Sequence, residues 1–516
     1  MRKWICIALC AALLAGLFTG CAANDLPEHY EPTGSALEGV TEAILETEEE
    51  SNTQSFSLAY YAESSMNPLV TEDFTNRVIL SLMYQGLFAV NRDNEVLPIL
   101  CKGYTASPDL LTYEFTVDPM ATFSDGVPVT PEDVVASLET AKNSKYYGGR
   151  LRYVSSISVT ETGTVRIRLT QAYGNLPMLL DIPIVKASQV EAENPLGTGP
   201  YQLSGHGRDL SLVRRKSWWC RSADLQVTAA TIPLVSADSP ASIRDSFEFY
   251  DVGVVCTDPG SDKYAEYRCD YELWECETGI FLYLGLNAKS SAFQNQAVRK
   301  ALSKGIDRDY LVDKYYRGFA SSATLPASPS SPYYTASLAQ HYGYDQVEFL
   351  NGMAGMKGRT LTLVVNSADS LRVRVAQEIG RMLNACGLIV EVKQYTGADY
   401  TVTLREGNYD LYLGQTKLSA NMDLSPFFSS NGALNYGSID NIGVYTLCLQ
   451  ALENQGNYYS LHQKVMEDAY LCPILFRSYA VYASRGLLTD LEPARDNVFC
   501  YSIGKTLEDV YIVQGL

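Results

Sequence analysis

The residue types that most often carry chemistry are scattered in this chain. Its four histidines, His29, His206, His341 and His462, stand far apart, and neither H-E-x-x-H nor G-x-S-x-G occurs. A zinc hydrolase or a nucleophile-elbow hydrolase is therefore not indicated. Ser502-Ile503-Gly504-Lys505 fits S-x-x-K, but the companion S-D-N and K-T-G elements are absent, so the serine lacks its usual partners. Gly197-Thr198-Gly199 begins like a dinucleotide loop, yet Gln202 stands where the third glycine belongs. The two glycines and Pro200 instead present Tyr201 at a defined angle to the next strand. Of twelve cysteines, Cys6, Cys10 and Cys21 lie near the N-terminus and the other nine form no C-x-x-C pair. Neither a zinc ribbon nor a redox motif is indicated. Nine is odd, so at least one thiol stays unpaired within the chain. Cys269 and Cys276 could bridge; Cys386 and Cys472 sit in apolar patterns and read as small core hydrophobes. No cofactor, no metal site and no enzymatic activity follow from these residues.

The composition points to a folded body. The chain has 516 residues, 46% hydrophobic and 19% charged, which is globular composition. With 40 Lys and Arg against 59 Asp and Glu, the net charge of -19 excludes a general affinity for nucleic acid or anionic membrane. Arg2 and Lys3 precede an apolar stretch from Trp4 to Phe18, too short for a spanning helix and placed as an export signal. Leu17-Phe18-Thr19-Gly20-Cys21 resembles the end of a bacterial lipoprotein signal, 1–20, cleaved before Cys21, whose thiol then carries diacylglycerol. Phe18 stands where such signals usually have Leu, and a plain secretory signal with an unmodified cysteine is the alternative. Residues 22–55 hold nine acidic side chains and no Lys or Arg. That segment buries little and repels itself, so 21–55 reads as a lipidated cysteine on an extended tether.

The body from residue 56 onward shows local order of both kinds. Phe56 to Tyr60 alternates like a strand. Thr71 can cap a helix with Glu72 and Asp73 in its first turn, where Phe74, Val78 and Leu82 recur at four-residue spacing. Tyr113 to Val117 and Val165 to Leu169 alternate, and Thr130-Pro131-Glu132-Asp133 has the start chemistry of a helix, so 95–185 forms a compact α+β insertion. Leu361, Leu363 and Val365 make a strand, Leu371, Val375, Ile379 and Leu383 a helical stripe, Gly387 a left-handed stop, and Leu388 to Lys393 a second strand. Two strands joined by an amphipathic helix predict a parallel βαβ unit and an α/β architecture. Trp218 and Trp219 read as core, with ligand stacking as the alternative.

Several stretches, in order, carry a family resemblance: Asn67-Pro68-Leu69, Leu82 to Phe88, Ala121 to Gly126 with Pro128, Thr130 and Asp133, Gly197 to Tyr201, Trp218-Trp219, Val298 to Leu302 with Gly305 to Arg308, and Gly407 to Asp410. Over nearly all of 56–516 the chain resembles the peptide- and nickel-type extracellular solute-binding proteins of ABC transporters, family 5. The resemblance implies an α/β, bilobed, type II periplasmic-binding-protein-like clamp with an additional small α+β domain. Lobe I would be 56–94, 186–280 and 477–516, the small domain 95–185, and lobe II 281–476. It implies a lipid-anchored, monomeric substrate-binding component of an ABC importer on the extracytoplasmic face of a bacterial membrane. Such a protein hands an oligopeptide or similar polar small molecule to permease subunits and performs no chemistry. A non-transport surface lipoprotein, acting as a signal-peptide receptor or adhesin, is the alternative, and a surface hydrolase a weaker one.

The same resemblance proposes the ligand contacts. Peptide-binding relatives receive the ligand amine on an acid just beyond Tyr409-Asp410, but here that position falls near Ser419 or Ala420. Asp423 is the one carboxylate between Leu411 and Asp423; it either substitutes for the missing acid or caps the segment beginning Leu424-Ser425-Pro426. The tryptophan that relatives place before the acid is replaced by Thr416 or Lys417. Tyr395 falls at an aromatic wall, Arg405 at a basic contact, Asn421 in the acid's loop, and Asn435 and Tyr436 beyond it. Thr71 and Glu72 match the loop whose backbone pairs with ligand. Some relatives carry nickel complexes, so a metal complex as ligand stays open.

Overall fold

The computed structural model describes residues 55–260, 267–488, 490–495 and 497–512. The signal, Cys21 and the acidic tether lie outside them. Strand β1 (Leu58–Tyr61) leads into helix α1 (Phe74–Met83). Its cap is Asp73, whose carboxylate accepts from the Asn76 N–H, and not Thr71 as the sequence led us to expect. The chain reaches helical geometry only at Phe74, beyond the reach of the Thr71 hydroxyl, which donates to the Ser65 carbonyl.

Strands β2 (Cys101–Ala106) and β3 (Thr112–Val117), helix α2 (Pro131–Asn143), and strands β4 (Val154–Val159) and β5 (Val165–Leu169) follow. They form a separate antiparallel sheet in the order β2-β3-β5-β4, with α2 packed on β4. The start of α2 is the capping box its sequence predicts: the Thr130 hydroxyl accepts from the Asp133 N–H while the Asp133 carboxylate accepts from the Thr130 N–H.

The remaining long strands join one sheet. These are β6 (Tyr201–Ser204), β7 (Ser211–Arg214), β8 (Thr231–Ala237), β9 (Val254–Thr257), β10 (Tyr271–Leu286), β11 (Thr360–Asn366), β12 (Ile389–Tyr395), β13 (Leu411–Lys417) and β14 (Leu471–Ser484). With β1 they run in the order β12-β11-β13-β10-β14-β9-β1-β8-β7-β6, and a short strand, Ala320–Ser322, pairs with β14. The expected βαβ unit is present. Helix α3 (Ser370–Asn384) connects β11 to β12, which pair in parallel from Thr360↔Ile389 to Asn366↔Tyr395. Gly387 takes φ +87° after the helix, a conformation that favours glycine.

Strands β10 and β14, 16 and 14 residues long, are more than twice an ordinary strand of about 5–6 residues and tie the two halves of the sheet together. One end of β14 pairs with β9, while the C-terminal half of β10 pairs with β13. Their mutual register slips between Glu277 and Ile280, where Gly279 has φ +69°, a bulge at the crossing between the halves. In that half of the sheet β10 is apolar on both faces. Leu282, Leu284 and Leu286 join one buried cluster with Leu361, Val365 and Ile379, while Phe281 and Tyr283 join the other with Tyr412 and Phe427.

All nine cysteines of the body are free thiols, Cys269 and Cys276 included. Trp218 is buried and its indole donates to the Thr198 carbonyl at 2.8 Å, so it serves the core. No helix among the described residues is long and apolar enough to cross a membrane.

Candidate functional site

The turn between α2 and β4 holds Lys145-Tyr146-Tyr147-Gly148-Gly149-Arg150-Leu151-Arg152-Tyr153. Its path is tight: a Cβ on Gly148 would stand 2.7 Å from the Ser144 carbonyl oxygen and 2.9 Å from that of Lys142. From this turn, side chains reach in two directions. Toward α1, Lys145 pairs with Glu72 at 2.7 Å, and the Tyr147 hydroxyl accepts from Arg77 at 2.6 Å. Burial pushes the Tyr147 phenol above its ordinary range, which keeps it a neutral acceptor. Arg77 also donates to the Thr71 carbonyl at 3.1 Å and lies 3.7 Å over the Tyr146 ring.

Toward the loop that leaves β13, the same turn makes three polar contacts. Lys417 donates to the Tyr146 hydroxyl at 2.9 Å, Arg152 pairs with Asp423 at 3.3 Å, and the Tyr153 and Ser425 hydroxyls are 2.6 Å apart. Asp423 is buried, and its carboxylate also accepts from the Ser425 N–H at 2.8 Å and the Ser425 hydroxyl at 3.0 Å. Both oxygens are thus engaged and a cation already faces them, but Asp423 does not cap the short helix Ser425–Phe428, whose N-cap is Leu424 without a side-chain bond. Arg495 donates to the Leu418 carbonyl in the same loop.

A void of about 20 Å³, room for one water, separates the two sides; Arg152, Tyr153, Tyr173, Asn421 and Asp423 border it. The Tyr173 hydroxyl and the Asn421 side-chain amide face each other there, and neither the hydroxyl nor the amide oxygen makes a hydrogen bond of standard geometry. Such groups are ordinarily satisfied by protein, water or ligand. Beside this zone lies a larger cavity of about 100 Å³, bordered by Arg77, Tyr84, Gln85, Arg150, Asp181 and Arg495.

The structure therefore gathers Thr71, Glu72, Lys417, Asn421 and Asp423 around the 145–153 turn. It does not gather the other four expected residues. Tyr395 ends β12, and Arg405 is exposed in the last turn of helix α4 (Gly397–Glu406). The Asn435 amide is used within its own loop, donating to Ser429 and Ile439 carbonyls and accepting from the Ile439 N–H. Tyr436 packs on Tyr412, ring centroids 6.2 Å apart. The cationic partners Arg77, Arg150, Arg152 and Arg495 were missed by sequence reasoning. The signal that could have found them is the density of tyrosine and arginine around a glycine pair, Tyr146-Tyr147-Gly148-Gly149-Arg150-Leu151-Arg152-Tyr153. No group of three or more His, Cys, Asp or Glu among the described residues could hold a metal ion.

The model of the bacterial extracellular solute-binding proteins, family 5 Middle, matches residues 95–436. The chain belongs to that family. It is similar to the glutathione-binding protein GsiB of Salmonella typhi, 25% identical over 392 residues that cover 71% of this chain and 76% of that protein. Its fold is shared by the ABC transporter substrate-binding protein CtaP from Listeria monocytogenes, with TM-score 0.71 at 18% identity, covering 87% of this chain and 98% of that one. It is also shared by the oligopeptide-binding protein AppA from Bacillus subtilis in complex with a nonapeptide, with TM-score 0.60 at 19% identity, covering 88% and 100%. The α/β, type II clamp class inferred from the sequence is thus the fold of this chain. It is a substrate-binding component of an ABC importer, acts on the extracytoplasmic side and is not an enzyme.

Proposed function

We propose that this protein captures a short peptide or a similarly polar small molecule between two lobes and presents it to a permease, held at the membrane by a lipid on Cys21. In this reading lobe I is 56–94, 186–280 and 477–516, carries the small domain 95–185, and closes on lobe II, 281–476. The observation that supports it is the polar contact of the 145–153 turn with Lys417, Asp423 and Ser425, which on this assignment would join the small domain to lobe II. A ligand held from both sides stabilises the closed form, because only that form contacts it twice. Thr71, Glu72, Lys417 and Asn421 border the cleft. Asp423 acts as a latch on Arg152 rather than as an amine anchor, since its oxygens already serve Ser425 and a guanidinium.

Glutathione is the first probe, given the glutathione-binding relatives. Titration calorimetry with glutathione, tri-alanine and tri-lysine, paired with small-angle scattering, tests the reading. A binder with a dissociation constant on the order of micromolar, about 8 kcal/mol, should shrink the radius of gyration at saturation. An unchanged radius with a saturating ligand, or chemical conversion of that ligand, overturns the clamp.

A further inference from the structure

Tyr146 is the side chain of the 145–153 turn that is held from α1 and met from β13 at once. On the α1 side its ring is fixed twice: the Arg77 guanidinium lies 3.7 Å from its centroid, and the Tyr147 ring meets it edge-on with centroids 4.8 Å apart. Arg77 is itself fixed by the Tyr147 hydroxyl at 2.6 Å and the Thr71 carbonyl at 3.1 Å, and Lys145, one residue earlier, pairs with Glu72 at 2.7 Å. A ring held in this way has given up most of its rotamer freedom before a further partner arrives. That partner is Lys417, which donates to the Tyr146 hydroxyl at 2.9 Å with its Nζ 4.7 Å from the ring centroid.

The sheet defines where Lys417 stands. It is the last residue of β13 and pairs with Ile280, the first residue of β10 past the slip in register where the two halves of the sheet cross. A change of angle between the halves at that bulge carries the lysine toward or away from α1. The lysine is exposed and the tyrosine half-buried, so parting them strands no buried charge, and water can replace each partner for the other. A contact that makes and breaks at low cost suits a clamp that opens in every cycle.

We infer that Tyr146 is a positioning residue for solute retention: Arg77 orients its ring, Lys417 closes on its hydroxyl, and the pair helps to hold the clamp shut without touching the solute. The inference rests on the reading of the small domain and lobe II as the two sides of the clamp. A contact made only in the closed form slows reopening and leaves entry into the open form unchanged, so its weight falls on release and not on association. Loss of an exposed cation contact of this kind corresponds to about three- to fivefold.

Tyr146→Leu, Lys417→Met and the double variant test this on the full-length protein. Hydrogen exchange needs no solute: the amides of 417–425 should exchange about three- to fivefold faster in each single variant and no faster in the double one, because both substitutions break the same contact. Release of whichever of glutathione, tri-alanine and tri-lysine binds, followed by stopped flow, should quicken by the same factor, with association within about twofold of the native rate. Tyr146→Phe keeps the ring on Arg77 and removes the hydroxyl alone. It should quicken release by about twofold or more with unfolding in urea unchanged, which a residue that merely supports the fold would not do. Lys417 is exposed, so Lys417→Met keeps the fold should Tyr146→Leu lose it. Native exchange and release in Lys417→Met and Tyr146→Phe, effects that add in the double variant, or slower association in place of faster release overturn the inference. If none of the three solutes binds, the exchange result alone decides. Native release rates in a protein that compacts on binding remove only the role of Tyr146, whereas a bound solute that leaves the radius of gyration unchanged defeats the clamp itself.

Discussion

Replacing Asp423 by Asn separates a latch from an amine anchor. The substitution keeps size and one carbonyl oxygen, so the Ser425 N–H retains an acceptor at the position now 2.8 Å away. It removes the charge facing Arg152 at 3.3 Å. The Arg152 side chain is 32% exposed and Asp423 5% exposed, so water screens the pair from one side. Such a pair is worth up to about 1 kcal/mol. Asn leaves the Ser425 N–H one neutral acceptor, while the Ser425 hydroxyl, which donates to the other carboxylate oxygen, meets an NH2 group and must turn to accept from it; weakening these bonds costs about 1 kcal/mol more. A stability loss of about 1–2 kcal/mol in urea denaturation is expected. On the proposed lobe assignment the pair joins the two sides of the clamp, so affinity should fall by about fivefold or less, by the same factor for glutathione and for N-acetylglutathione. An anchor behaves differently: the free-amine ligand would lose about ten- to a hundredfold and the acetylated one nothing. Calorimetry of both proteins with both ligands decides it. A loss beyond tenfold confined to the free amine refutes the latch.

Three further outcomes follow from other parts of the molecule. Arg477 is 7% exposed and holds Asp258 through bonds of 2.6 and 2.7 Å, with Asp369 at 4.0 Å; Asp258→Asn strands that guanidinium and should cost about 3 kcal/mol in urea denaturation, whereas a loss below about 1 kcal/mol would show that Asp369 compensates. His462 is fully buried, and burial lowers its imidazole from 6.5 to about 3. Between those values the unfolded chain binds a proton the native one does not, so stability should fall as pH drops, by about 1.4 kcal/mol per unit from this group. His462→Leu should flatten that limb of the profile, and an unchanged slope counts against the assignment. Cys21→Ser should move the protein from membranes to the soluble export fraction; continued membrane association would exclude the lipid anchor.

The elements legible in the sequence are those set by near neighbours. The capping box at Thr130, the stripe of Leu371, Val375, Ile379 and Leu383, and the stop at Gly387 all depend on residues within a few positions, and each is present as read. The cap of α1 was misplaced for the same kind of reason: Thr71 and Asp73 both carry suitable oxygens, and only the point where the backbone turns helical selects Asp73. The ordered motifs from Asn67 to Asp410 also carried the family. The site was legible only in part. Lys417 and Asp423 lie in the loop the motifs pointed to, but their partners come from elsewhere: Lys417 meets Tyr146 across 271 positions, Arg77 meets Tyr147 across 70, and Arg495 meets Leu418 across 77. No periodicity or local propensity encodes such pairs, because a surface lysine or arginine has the same local preferences whether it faces water or a carboxylate. Their partners, and the charge of the cavity they border, are decided only when the long strands β10 and β14 bring the two halves of the sheet together.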